Sequence, residues 1–126
     1  MSEYSELKVP DIKTEELLSV VTKIKLVSGF QFSYNGVGYF LVTFTKQDMK
    51  KSEAQHTAFY AGSTLIDGYD IYILKALPKA ERDRQLFHEI LEANLRSQGF
   101  EQEEAHAITL GEEEKVYGGR GEGYAK

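Results

Sequence analysis

The dipeptide Asn35-Gly36 lies at the centre of GFQFSYNGVGYFLVTF, between two aromatic-rich runs. A two-residue type I′ hairpin turn needs positive φ at both central residues, which Asn and Gly tolerate and bulkier residues resist. The dipeptide therefore predicts an antiparallel hairpin and fixes its register, with Phe32 opposite Tyr39 and Phe30 opposite Leu41. Phe40, Val42 and Phe44 then point to the other face. Both faces carry apolar groups, so at least one helix is expected to cover the sheet.

The rest of the chain supplies helices on both sides of this hairpin. Residues 1–12 read as an irregular lead-in that ends near Pro10. Leu17, Leu18, Val21 and Ile24 recur at helical spacing and predict a first helix over about 14–27, with Thr14 or Asp11 as its cap. The charged run 46–55 reads as a loop with room for one helical turn. HTAFYAG reads as a third strand, STLIDG as a turn and YDIYILKAL as a fourth strand. In that fourth strand Tyr69, Ile71 and Ile73 alternate with Asp70, Tyr72 and Leu74. After Pro78 the pattern turns helical: Phe87, Ile90, Leu91, Asn94 and Leu95 form a stripe that Leu86 and Ala93 widen, and Gly99 breaks it. A further helix is expected over about 101–116, weakened by Gly111. The glycine-rich end, 118–126, lacks the lysine and the strand context of a phosphate loop and reads as a frayed tail. The expected fold is α+β: an N-terminal helix, an antiparallel or mixed sheet of about four strands, and a C-terminal helical hairpin.

Composition narrows the functional classes. At 126 residues, 41% of them hydrophobic, the chain suits one domain with one modest core. It has no cysteine, which excludes disulfides, thiol nucleophiles and cysteine zinc sites, and makes a reducing cytosol the expected location. No apolar run has the roughly 18 residues of a membrane span, and the polar start MSEYSELKVP is unlike a signal peptide. With 20 acids against 15 bases and a net charge of −5, the chain gains little from phosphate neutralisation. Nucleic acid and membrane are therefore not expected partners, whereas a peptide or protein is.

The chemistry-bearing stretch is LFHEILEANL. Residues four apart on an α-helix differ by about 40° around the axis, so His88 and Glu92 share one line, with Glu89 on the next. Two ligands at i and i+4, with a carboxylate at i+1, suit a metal ion and a general base. A third ligand follows from the hairpin geometry. Glu92 lies seven residues before Gly99 and His106 seven after it, so an antiparallel pair of helices places them at the same height. His88, Glu92 and His106 then form a two-histidine, one-carboxylate metal site with an open position, and Glu89 is the base. Glu103, one turn before His106, is a candidate to orient that ring. Glu112 and Glu113 are weaker candidates, about 9–10 Å from His106 along the axis, although Glu113 shares its stripe with Leu110 and Tyr117.

The order of elements GYDIYIL, PKAERDRQ and LFHEILE resembles that of small zincin-like metallopeptidases of the bacterial ImmA/IrrE type, over about residues 57–113. HEILE followed by EEAHAI is also similar to short phage and plasmid proteins with H-E-h-x-E and a downstream A-H (h is apolar). The resemblance implies zinc, a hydrolytic activity on peptides and a sheet edge that binds an extended peptide. By position it makes His88 the first ligand, Glu89 the general base and His106 an approximate match to the downstream ligand. Glu92 stands where the family signature has its second histidine.

The same residues permit plainer roles. His88-Glu89-x-x-Glu92 can be the solvated flank of an amphipathic helix, and His106 can be hydrogen-bonded to Glu92 without metal. The chain is then a non-catalytic cytosolic interaction module, related to peptidases by descent at most. His56 has no partner at ligand spacing and is expected on the surface. The hairpin aromatics are expected in the core rather than on a base-stacking platform. Tyr69 and Tyr72 are expected to pack rather than to donate to an oxyanion.

Overall fold

The computed structural model describes residues 9–53 and 55–119; of the ends expected to be irregular or frayed, 1–12 and 118–126, residues 1–8 and 120–126 lie outside them. The first helix, α1 (Thr14–Lys23), buries Leu17 and Val21. It stops four residues short of the expected 27, because Ile24 is extended and the chain then turns to meet the sheet. Ser28 Oγ accepts from Thr43 N at 2.8 Å and Gly29 N donates to Leu41 O at 2.8 Å, contacts that continued helix would forfeit. Neither Thr14 nor Asp11 caps α1. Lys13 holds the N-cap position, and the Thr14 hydroxyl donates instead to Glu112 Oε2 at 2.7 Å.

Strands β1 (Gln31–Tyr34) and β2 (Val37–Phe44) form the expected hairpin. Asn35 and Gly36 have φ of 52° and 80°, and Phe32 faces Tyr39. Helix α2 (Lys46–Ser52) occupies the charged run where one turn in a loop was expected. A capping box starts it: Thr45 Oγ1 accepts from Asp48 N at 3.1 Å and Asp48 Oδ2 accepts from Thr45 N at 3.0 Å. Strands β3 (Ala58–Gly62) and β4 (Gly68–Leu74) complete a four-stranded sheet of order β1-β2-β4-β3. The sheet is mixed, because β2 and β4 run parallel while both outer pairs are antiparallel. Gly68 sits so close to β2 that a Cβ on it would lie 2.0 Å from Gly38 O.

Helix α3 (Lys79–Ser97) crosses the sheet, and α4 (Gln102–Tyr117) runs back along α3 after the turn at Gly99, whose φ is 103°. Every residue of the expected α3 stripe is buried, including Leu86, Ala93 and Asn94. The core lies between α1, α3 and one sheet face, which contributes Tyr39, Leu41, Ile71 and Ile73. Phe40, Val42, Phe44, Phe59 and Tyr72 belong to the opposite face, outside that core. Phe59 and Tyr72 stack there with centroids 4.4 Å apart.

Asn94 fixes the hairpin to α3. It is 1% exposed, and its Nδ2 donates to Tyr34 O at 3.1 Å and to Tyr39 Oη at 3.0 Å. Its Oδ1 accepts from Asn35 Nδ2 at 3.1 Å and from Gln98 Nε2 at 2.8 Å. A buried amide with all these groups engaged holds the hairpin at one height along α3, and with it the sheet. Among the described residues no helix is long and apolar enough to cross a membrane.

Candidate metal centre

Helix α3 presents His88 and Glu92 on one line, and α4 brings His106 to the height of Glu92, as the symmetric spacing about Gly99 requires. His106 Nδ1 lies 3.0 Å from Glu92 Oε1, and His88 Nε2 lies 3.1 Å from the same oxygen. His88, Glu92 and His106 each offer one ligand atom, and the three atoms lie within 4.8 Å of one another, so the group could hold a metal ion. A tetrahedral zinc ion with bonds of about 2.0–2.1 Å needs ligand atoms about 3.4 Å apart. The two carboxylate–imidazole distances need to open by only a few tenths of an ångström, and the imidazoles to draw together. The donor set serves zinc, iron and manganese alike.

The groups around the triad explain how it is held. His88 Nδ1 lies 2.8 Å from Glu113 Oε1, and the other Glu113 oxygen accepts from Arg84 Nε. Arg84 Nη2 donates to Gly118 O at 2.9 Å, and its guanidinium lies 5.6 Å from the Tyr117 ring centroid. Tyr60, on β3, donates to Glu92 Oε2 at 2.9 Å. Glu113 is fully buried, Glu92 is 4% exposed, and the His106 side chain is 52% exposed. The centre thus has a buried floor and one open side.

Two carboxylate oxygens face the two His88 nitrogens, so without an ion both nitrogens donate and the ring is an imidazolium. Burial pulls its pKa down, but hydrogen bonds to Glu113 and Glu92 pull it up further, to about 9. For Glu92 burial acts upward, and bonds from His88, His106 and Tyr60 outweigh it, to about 2. Burial, with Glu92 and Glu113 nearby, raises Glu89 to about 7 against the pull of His88. Burial and the bond to Glu92 hold the Tyr60 hydroxyl above its ordinary value.

A cleft of about 430 Å³ opens over the triad, between β3 and the helical hairpin. Ala58, Phe59 and Tyr60 form one wall; His88, Glu89, Glu92 and Arg96 form the other, and Gln102 and His106 close it. A second hollow of about 300 Å³ shares His56, Ala58, His88, Glu89 and His106 with it. Glu89 lines both, and its carboxylate has no hydrogen-bond partner among the described residues.

Several residues take places that the sequence did not indicate. Glu103 is exposed and does not orient His106. Glu113, set aside for its distance from His106, instead reaches His88, which lies lower on the facing helix. Its stripe position, with Tyr117 packed edge-on against Phe87 at 5.4 Å, was the available signal. Tyr60 and Arg84 had none, since neither lies at ligand spacing. His56 is exposed as expected but forms part of the cleft rim. Tyr69 packs near Tyr39 and Tyr60, and Tyr72 lies on the far sheet face. Comparison with family models, curated proteins and solved structures gives no match to the chain.

Proposed function

We propose that the chain is a metal-dependent hydrolase of peptide or amide bonds, with zinc as the ion. His88 Nε2, Glu92 Oε1 and His106 Nδ1 are its ligands and Glu89 is its general base. The observation that carries this is the convergence of three ligand atoms on the floor of an open cleft, beside a carboxylate, that of Glu89, with no hydrogen-bond partner among the described residues. The ion, when bound, polarises the scissile carbonyl and acidifies water.

The protein's own groups have separable roles. Glu113 accepts the Nδ1 proton of His88 and so leaves Nε2 free to ligate, the arrangement that histidine ligands commonly have. Tyr60 and the histidines orient Glu92, whose low pKa keeps it an anion. Glu89 takes a proton from the attacking water and passes it to the leaving nitrogen. Ala58, Tyr60 and the β3 backbone give the substrate chain a wall.

Two measurements test this. Protein purified without chelator is expected to carry stoichiometric metal by elemental analysis. Glu89→Gln is expected to keep that metal and to lose hydrolysis of a quenched-fluorescent peptide mixture by about 10²–10⁴-fold. Absence of bound metal removes the centre; undiminished hydrolysis in the variant removes the base.

A further inference from the structure

Asp70 lies in the middle of β4 and is 9% exposed. Its neighbours Ile71 and Ile73 are in the core, and strand alternation places Asp70 with Tyr72 on the opposite face. Across the sheet it faces Phe40 on β2 and Ala61 on β3. The next row is Val42, Tyr72 and Phe59. Asp70 Oδ1 has no hydrogen-bond partner among the described residues. A buried carboxylate oxygen with no donor is costly and rare in a folded chain. The strand residues that share this face include no lysine or arginine, so the sheet offers it no counter-charge.

We propose that this sheet face docks a polypeptide partner, which sets an arginine or lysine on Asp70 and apolar side chains on the aromatic rows around it. The cation meets the charge of the Asp70 carboxylate at the sheet surface, among the neighbouring aromatic rings that also attract it. A sheet face is broad and flat, which suits a polypeptide surface better than a small ligand. A second copy of the chain is a poor occupant. Packed face to face, it brings another carboxylate and no base from the same strands. This docking surface is independent of the metal centre.

The test is a nuclear magnetic resonance titration of the full ¹⁵N-labelled chain with acetyl-Leu-Arg-Leu-amide and with its citrulline counterpart, which has the same shape and no charge. The arginine peptide is expected to shift the amides of Phe40, Ala61, Asp70 and Tyr72 with a dissociation constant in the millimolar range. The citrulline peptide is expected to bind at least tenfold more weakly. Asp70→Asn is expected to reduce the arginine peptide to the citrulline level. Phe59→Ser, at a partly exposed position on the edge strand, is expected to weaken both peptides, and it provides the test if the Asp70 variant does not fold. Equal binding of the two peptides overturns the proposal. So do shifts spread over other acidic surfaces, an undiminished preference in Asp70→Asn, no shift on this face, or self-association that covers it.

Discussion

Replacing Glu113 with glutamine keeps the shape of the side chain and removes its charge. In the parent protein this fully buried carboxylate receives Arg84 Nε on one oxygen and His88 Nδ1 on the other, at 2.8 Å. The Arg84 and His88 side chains are themselves only 12% and 14% exposed. Removing one partner of a buried pair costs about 3–5 kcal/mol, because the remaining charge stays desolvated. Here the lower end applies: Arg84 keeps its bond to Gly118 O and its place by Tyr117, and the amide oxygen still accepts one donor. The expected loss is about 3 kcal/mol, or about 12 °C in melting temperature for a chain of this size. The assay is urea and thermal denaturation of chelator-treated protein at neutral pH, completed by Arg84→Met and the double variant. Because Arg84→Met removes the stranded cation, the double variant should lose much less than the sum of the single ones. Metal affinity should fall 10–100-fold, since an amide N–H facing Nδ1 moves the ring proton to the ligating nitrogen. A stability loss under about 1 kcal/mol, or strict additivity of the two substitutions, would show that Glu113 does not hold the cluster.

Acid and base should act on the metal-free protein from opposite sides. Glu92, depressed from 4.5 to about 2, contributes stability above pH 4.5 that is lost as pH falls toward 2. His88, raised from 6.5 to about 9, contributes stability that is complete below pH 6.5 and lost as pH rises through 9, on the order of 3 kcal/mol. Glu89, raised from 4.5 to about 7, favours the folded state below 4.5 and progressively less through 7. Urea denaturation with chelator should therefore place the stability maximum near pH 4.5, with a decline that Glu89 begins and His88 completes by about 9, and a flat profile up to about pH 9 would contradict these assignments. Gly68→Ala should cost about 2–3 kcal/mol in the same assay, because its Cβ meets the Gly38 carbonyl at 2.0 Å and backbone must move. A change below about 0.5 kcal/mol would mean that β2 and β4 part freely there.

Local rules carried the hairpin and the helical pair. Asn35-Gly36 specifies a turn through backbone sterics alone, and that turn fixes the Phe32–Tyr39 register. The symmetric placement of Glu92 and His106 about Gly99 needs only regular helices, and their 3.0 Å contact follows from it. The strand order did not follow in this way. Both faces of β2 and the run of β4 are apolar enough for either direction, so no local pattern announces that β2 and β4 are parallel. The apolar groups on both hairpin faces implied cover for the sheet, and α1 and α3 cover one face. The other face keeps Phe40, Val42 and Phe44 outside the core. The capping box of α2 was readable in Thr45 and Asp48, but the apolar stripe that normally marks a helix is missing. The contacts of Glu113 depend on two side chains reaching diagonally between helices, and axial spacing from His106 alone does not reveal them.

The way α4 is attached has a consequence for how the molecule opens. It fully buries Ala105, Thr109 and Glu113, and much of its grip on α3 comes from His106 on Glu92 and from Glu113 on Arg84 and His88. Such a clasp is held by charge more than by oil, and the protons that govern it also compete with a cation for the same nitrogens. Loading the centre and fastening the final helix become one equilibrium, so that an ion in place would lock a segment that its loss, or acid, would free before the sheet gives way.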